Sequence, residues 1–401
     1  MSKLRVAFFA DILIRDFDGA SRTIYEIIDR IPQERFEFAF FCGLPPKEPL
    51  NANVTVVKPV PIPVNKDYNI ALPVLQRKKL IRSLNEFRPD VIHISTPSFL
   101  GFFALNYGVK NNIPVISIYH THFISYIEYY LDRTPFLKKP ATAAAKYLMR
   151  KFYNRCNKVL VPTEVISRDL IDMDINPALL QLWPRGINTG VFHPGEHDGY
   201  DFEGIVSKDK PNILFASRLV WEKNLKTLIG LYKYAGKMAA NYNFIVAGDG
   251  LAYEELKSEM PDAVFTGQLE RKKLAALYAA CDVFVFPSIT ETFGNVVAEA
   301  MASGLPCVIA DGGGSSSLVR DGVNGFKCMY NNPEEYFTKI NIILTEPELR
   351  QHFIQKGIEY ASKMSWSNLT LTYFEELSGL SKTRELLLKE PSYSGNLAQI
   401  Y

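Results

Sequence analysis

Short apolar runs alternate with amphipathic stretches along the whole 401-residue chain. Residues 4–10 (LRVAFFA), 36–42 (FEFAFFC), 54–57 (VTVV), 90–95 (DVIHIS), 113–118 and 159–163 (VLVPT) read as strands. Between the first two, Ile24, Ile27, Ile28 and Ile31 fall on one helical face, which predicts a helix over 20–31. Residues 74–87 predict an amphipathic helix that stops before Arg88-Pro89-Asp90, and Pro97 opens another that runs to Val109. Strand and helix alternating this often imply a parallel sheet covered on both faces. The stretch 192–210 is rich in Pro, Gly, Asp and Glu, lacks apolar periodicity and reads as a linker. The pattern then restarts, with strands over 212–217, 243–248, 263–267, 282–287 and 306–310 separated by helical stretches. The fold class is therefore α/β, with two Rossmann-like, doubly wound domains facing across a cleft. Ligands of such sheets bind outside the carboxyl ends of the strands.

Length and composition agree with this reading. A chain of 401 residues suggests two domains, and 47% hydrophobic with 22% charged residues is globular usage that excludes a mainly disordered chain. No run approaches the 18 apolar residues of a spanning helix. The first 18 residues slightly resemble a signal peptide. Asp11 cuts the apolar run and no small-residue cleavage site follows, so the segment is expected to stay as a strand. Five cysteines without a CxxC spacing fit a reducing cytoplasm better than a disulfide framework or a zinc site. Charge changes the picture more. Residues 1–190 hold 25 basic and 17 acidic side chains, a net +8, and residues 191–401 hold 20 and 26, a net −6. The first half is thus suited to an anionic partner.

Candidate chemistry clusters at the ends of the predicted strands. After the strand ending at Pro287 comes a polar loop with Glu291, and then Gly294-Asn295 opens a helix that carries Glu299. Free N–H groups from Gly294 to Val297 at that helix start suit a diphosphate, and a carboxylate beside them can accept sugar hydroxyls. Two glutamates alone would equally be a helix-dipole partner and a solvated helix residue. Arg218 and Lys223 follow the strand over 212–216, and two cations there suit phosphate oxygens; Glu222 beside Lys223 also allows a solvated loop pair. His120 and His122 follow another strand end. They lack a third metal ligand, and His120 suits a hydrogen bond to substrate as well as a structural role. Gly19, after the first strand, allows close backbone approach or simply a turn. Gly248-Asp249-Gly250 is not the GxGxxG of a nicotinamide enzyme. Residues 123–155 carry seven basic side chains interleaved with aromatics, which suits an anionic membrane surface or a core helix with solvated lysines. No nucleic-acid-binding module accompanies them.

In order along the chain, these motifs resemble a family 4 glycosyltransferase of the two-domain GT-B fold. The resemblance rests on Glu291-Thr-Phe-Gly-Asn-Val-Val-Ala-Glu299 with the Ala-Ser-Gly-Leu-Pro and Gly-Gly-Gly that follow, and on 217–224 (SRLVWEKN). It extends to 183–188 (WPRGIN) with Phe192-His193-Pro194, to 18–23 (DGASRT), to 119–122 (YHTH), and to Trp366 with the helix after it. It implies an acceptor domain over 1–195, a nucleotide-sugar domain over 196–365, and a segment 366–401 whose helix crosses back to the first domain and ends in a loosely ordered tail. It further implies that Arg218 and Lys223 hold the donor diphosphate, that Glu291 contacts the sugar and that Glu299 contacts the ribose. Phe293, Gly294, Asn295 and Val296 line the donor pocket, His120 sits near sugar and acceptor, and Gly19 approaches the donor phosphate or the acceptor. Many members have two glycines where this chain has Gly19 alone.

The implied reaction is a metal-independent, retaining transfer of a hexose from a UDP- or GDP-sugar, with no cofactor, completed by domain closure. The acceptor is a hydroxyl, and the loop motifs look most like enzymes that glycosylate lipids. The location implied is cytoplasmic, peripheral at the inner face of the membrane. A nucleotide-sugar 2-epimerase, a catalytically silent nucleotide-sugar binder and a glucan-polymerising transferase are the rival readings.

Overall fold

The computed structural model describes residues 3–62, 65–121, 124, 127, 135–195 and 199–389. Two compact units divide the chain. Unit 1 holds the residues up to Pro162, then Ser167–Trp183, and the chain from Ser367 on; unit 2 holds Thr163–Ile166 and Pro184–Trp366.

Unit 1 begins with strand β1 (Leu4–Ile12), helix α1 (Gly19–Ile28), β2 (Phe36–Leu44) and β3 (Asn53–Val56). A short pair, β4 (Pro59–Ile62) and β5 (Asn65–Ala71), precedes α2 (Arg77–Phe87), β6 (Val91–Ile94), α3 (Phe99–Lys110) and β7 (Val115–Ile118). Helix α4 (Pro135–Tyr153), β8 (Lys158–Val161), α5 (Glu164–Ile171) and β9 (Leu180–Leu182) follow. Seven strands form one sheet in the order β3-β2-β1-β6-β7-β8-β9, parallel throughout. The strands are near-continuous apolar runs because both faces are covered, as burial of all of β6 and β7 shows. The antiparallel β4–β5 pair departs from the predicted pattern: three prolines and several polar residues hide it from periodicity.

Unit 2 repeats the plan. It runs through β10 (Asn212–Ala216), α6 (Leu225–Lys237), β11 (Asn243–Ala247), α7 (Tyr253–Glu259), β12 (Val264–Gly267) and α8 (Arg271–Ala280). Strand β13 (Val283–Phe286), α9 (Asn295–Ala302), β14 (Cys307–Ala310), β15 (Phe326–Cys328), α10 (Pro333–Thr345) and α11 (Pro347–Ser362) complete it. Its sheet is parallel in the order β12-β11-β10-β13-β14-β15. The described residues of 192–210 pack with this unit and do not form a linker. Phe192 is fully buried in the unit 2 core, and Phe202, Ile205 and Val206 pack against that core. The Asn212 side chain fastens the stretch by accepting from the Ser207 N–H (2.8 Å) and donating to the Ser207 carbonyl (3.0 Å). Its apolar residues are too widely spaced to show a period.

The last helix, α12 (Trp366–Lys389), packs within unit 1 from Ser367 on. Phe374 packs at a tilt against Phe36 with ring centroids 5.0 Å apart, Trp183 Nε1 donates to the Leu369 carbonyl (2.8 Å), and the Tyr373 hydroxyl lies 3.0 Å from Nδ1 of His93. Glu376 pairs with Lys158. Residues 391–401, expected to be loosely ordered, lie outside the described residues. Among those described, no helix is long and apolar enough to cross a membrane.

Candidate functional site

In unit 2 the chain leaves β10 in one direction, to β11 and β12, and later returns to the other side of β10 through β13. The two strands therefore flank a topological switch point, where loops from their carboxyl ends diverge and leave a crevice. The loop after β10 carries Arg218 and Lys223, and the loop after β13 carries Glu291. Lys223 is buried, and its Nζ donates to Glu291 Oε1 at 2.6 Å and to Thr290 Oγ1 at 3.5 Å. The pair spans the switch point. Lys223 is thus not a solvated partner of Glu222. Buried Glu222 instead faces the exposed Arg218 guanidinium at 3.6 Å. An ammonium taken out of water stays charged only with a close counter-charge, and Glu291 supplies it.

The backbone around these side chains is held by residues that sequence reasoning did not assign. Asn224 has a left-handed backbone (φ +57°), which ends the short turn Trp221–Lys223 and starts α6. Its side chain donates to the carbonyls of Pro287 (3.0 Å) and Tyr330 (2.6 Å), so the two loops are tied together. Gly313 (φ +63°) and Gly314 press against the Glu291 loop. A Cβ on Gly314 would lie 2.0 Å from the Thr292 carbonyl oxygen, and the Gly314 N–H donates to the Glu291 carbonyl at 2.6 Å. Gly248 and Gly250 buttress the other loop in the same way, with Cβ positions 1.8 Å from the Ser217 and 2.5 Å from the Leu219 carbonyl oxygens. The signal for all four was a glycine just past a strand, which sequence alone does not separate from an ordinary turn.

Helix α9 starts inside this frame. Gly294 is its N-cap with φ +91°, and a Cβ there would strike Ser315 at 2.6 Å, so the position requires glycine. No side chain caps the helix, so the N–H groups of Gly294, Asn295 and Val296 remain for a ligand; that of Val297 is taken by the Gly294 carbonyl at 3.0 Å, which shortens the predicted set by one. The Asn295 amide oxygen is buried without a hydrogen-bond partner, a donor-seeking group at the same place. Phe293 is buried, Val296 half-buried, and Glu299 buried rather than a solvated helix residue. The crevice thus joins two cations, a helix N-terminus, a carboxylate and an unsatisfied amide, a set whose chemistry suits an oxyanion and hydroxyl groups.

Gly19 and His120 lie in unit 1. Gly19 is the first residue of α1, where the Asp18 carboxylate accepts from the Ser21 N–H at 2.7 Å and the Asp18 N–H donates to Ser21 Oγ at 2.8 Å, a capping box. Half-buried His120 follows β7; His122 lies outside the described residues. Unit 1 has its own switch point between β1 and β6. There the Asp11 carboxyl is pushed up to about 6 by burial, against the lowering effect of its hydrogen bond with Ser98. Ser95 Oγ, just past β6, is buried without a partner. In the sequence Asp11 marked only a break in the first apolar run and Ser95 was not singled out, because a lone Asp and Ser carry no spacing.

Two parallel-sheet units of this kind define the GT-B class of fold, and comparison with solved structures agrees. Sucrose-phosphate synthase from Thermosynechococcus elongatus matches 95% of this chain and 100% of its own with a TM-score of 0.78 at 18% identity. HepE from Anabaena, solved with UDP and glucose, matches 94% and 99% with a TM-score of 0.72 at 19% identity. The family model for glycosyltransferase family 4 matches residues 17–191, and that for glycosyl transferases group 1 matches residues 200–360. The chain belongs to the family 4 glycosyltransferases. A sulfoquinovosyl transferase from Arabidopsis thaliana is 32% identical over 335 residues, 81% of this chain but less than two thirds (63%) of that relative. A GDP-mannose-dependent alpha-mannosyltransferase from Corynebacterium glutamicum is 29% identical over 80% of this chain and 76% of its own. An alpha-monoglucosyldiacylglycerol synthase from Streptococcus pneumoniae is 26% identical over 70% and 65%.

Proposed function

We propose that this chain is a retaining, metal-independent hexosyltransferase. It takes the sugar from a UDP- or GDP-sugar and gives it to a hydroxyl of a membrane lipid or lipid-linked glycan, at the cytoplasmic face of the membrane. The observation that carries the reading is the Lys223–Glu291 pair across the unit 2 switch point, beside the uncapped start of α9. The donor diphosphate sits on the N–H groups of 294–296, with Lys223 and Arg218 on its oxygens. Glu291 and Asn295 receive the sugar hydroxyls, and Glu299 the ribose. His120 and Gly19 serve the sugar and acceptor side in unit 1.

The acceptor oxygen bonds to the anomeric carbon on the face from which the diphosphate leaves. The bond from that carbon to the diphosphate oxygen breaks, and the acceptor proton passes to the departing diphosphate. Charge grows on that oxygen in the transition state, and fixed cations with N–H dipoles stabilise it there without reorganising. Arg218, Lys223 and the helix start supply what a metal ion supplies in other transferases, which supports metal independence. The printed names of the relatives support the substrate classes: one uses GDP-mannose, one structure holds UDP and glucose, and one makes a glucosyl diacylglycerol.

The test is transfer of labelled sugar from UDP- and GDP-sugars into lipid extract, with chelator present and with product anomers assigned. Retained configuration and turnover that survives chelation are expected. Lys223→Ala should lower kcat about a hundredfold to a thousandfold. Near-wild-type turnover in both Lys223→Ala and Arg218→Ala would remove the assignment.

A further inference from the structure

We infer that Glu222 is a positioning residue of the donor crevice: its buried carboxylate grips one edge of the Arg218 guanidinium and so turns the other edge toward the diphosphate. The inference deepens the donor-site reading of unit 2 and rests on it.

The backbone fixes where the two side chains start. Arg218 and Glu222 stand four residues apart, on either side of Leu219, Val220 and Trp221, in the loop that follows β10. Leu219 is fully buried; its N–H donates to the Asp249 carbonyl at 2.8 Å, and its carbonyl accepts from the Ala252 N–H at 2.9 Å. The Val220 N–H returns to the Arg218 carbonyl at 3.0 Å, and that of Lys223 to the Val220 carbonyl at 2.9 Å. The Glu222 carbonyl accepts from Thr290 Oγ1 at 3.2 Å, which ties the turn to the loop after β13. With the main chain held at each of these points, the Arg218 side chain, 57% exposed, is the part that can turn.

The neighbours Glu222 and Lys223 serve different partners. Lys223 donates to Glu291 across the switch point at 2.6 Å. The Glu222 side chain is only 2% exposed; its Oε1 lies 3.6 Å from a terminal nitrogen of Arg218, and its Oε2 is buried without a hydrogen-bond partner. An ionised carboxylate taken out of water calls for a counter-charge and for donors on its oxygens. A guanidinium offers both, as two parallel N–H groups on one edge, and keeps further N–H groups for a second anion. The 3.6 Å approach is a loose form of that pair. A short movement of the guanidinium onto both Glu222 oxygens leaves its remaining N–H groups for the diphosphate oxygens.

The sign of the charge separates two roles. A carboxylate near a diphosphate repels it, so Glu222 acting only through its own field weakens donor binding. It strengthens binding only by holding Arg218. A long side chain fixed on one edge before the ligand arrives has less rotamer freedom left to lose.

The test is a double-mutant cycle on the full chain, read as the dissociation constants of UDP and GDP from titration calorimetry without added metal. Glu222→Gln keeps the shape and removes the charge. It should weaken binding of the nucleotide that the wild type takes by about tenfold, within the range of coupled neighbours. In an Arg218→Ala background the same change should weaken binding by less than about twofold, or tighten it. Glu222→Asp, which keeps the charge and withdraws it by one methylene, runs through the same cycle and should weaken binding only where Arg218 is present. It carries the test alone if the glutamine variant does not fold. A Glu222→Gln variant that binds as tightly as the wild type, or more tightly, overturns the inference, because the carboxylate then acts only by its own charge. Equal losses with and without Arg218 overturn it too, because Glu222 then serves the loop and not the arginine. Both results leave the donor site standing. A folded wild type that binds neither UDP nor GDP overturns the donor-site reading and this inference with it.

Discussion

Lys223 and His93 show how burial sets the role of a single side chain. Lys223 is buried, and its Nζ donates to the Glu291 carboxylate at 2.6 Å. Glu291→Gln should therefore lower both melting temperature and donor affinity, because it removes the carboxylate that accepts from a buried ammonium at 2.6 Å. A loss of a few kcal/mol in urea unfolding is expected, on the order of the 3–5 kcal/mol seen when one partner of a buried pair is removed. His93 is fully buried between Phe8, stacked at 3.9 Å, and Tyr373, and burial lowers its pKa to about 3. The unfolded chain has His93 near 6.5, so between pH 6.5 and 3 the unfolded state binds the extra proton. The contribution to stability is whole above 6.5 and falls by about 1.4 kcal/mol per pH unit below it. Asp11 acts in the opposite sense: its pKa is raised, so the folded state gains as pH falls through 6. The comparison to make is wild type against His93→Asn, which keeps an acceptor for Tyr373. Urea titrations from pH 7 to 5 should show the two stabilities converging as pH falls, and parallel curves would show that His93 is not buried neutral.

At the scale of elements, glycine position decides what the loops can do. Gly314→Ala should cost about 1–3 kcal/mol and weaken nucleotide binding, because the new methyl meets the Thr292 carbonyl at 2.0 Å. Gly379→Ala, in mid-α12 with nothing within 4 Å, should instead stabilise by about 0.5–1 kcal/mol. Phe374→Ala should cost about 3–5 kcal/mol by opening the aromatic seam between α12 and β2. Most strands and helices were legible from periodicity because both sheets are buried on two faces, which writes plain apolar runs into the chain. Arg218, Lys223 and Glu291 were legible as candidates because they sit just past strand ends, and Glu299 because it follows Glu291 in the same motif on α9. The braces were not, since Gly248, Gly250, Gly313, Gly314 and Asn224 act through backbone contacts made far along the chain. The β4–β5 pair and the stretch after Phe192 that packs on the unit 2 core escaped because prolines and wide apolar spacing leave no period to read.

At the scale of the molecule, charge divides as the proposed work divides. The net +8 of residues 1–190 falls largely in unit 1, and in unit 2 Arg218 and Lys223 follow β10 at the switch point. The central claim is that the unit 2 switch point binds a nucleoside diphosphate through Lys223. It is tested most directly by thermal melting of the purified chain against UDP, GDP, ADP and their sugars, without added metal. One nucleotide series should stabilise the wild type by about 2.7 kcal/mol at a hundredfold over its dissociation constant. The same series should leave Lys223→Ala unmoved. A folded wild type that no nucleotide stabilises, or a Lys223→Ala variant that shifts as fully as the wild type, would contradict the claim.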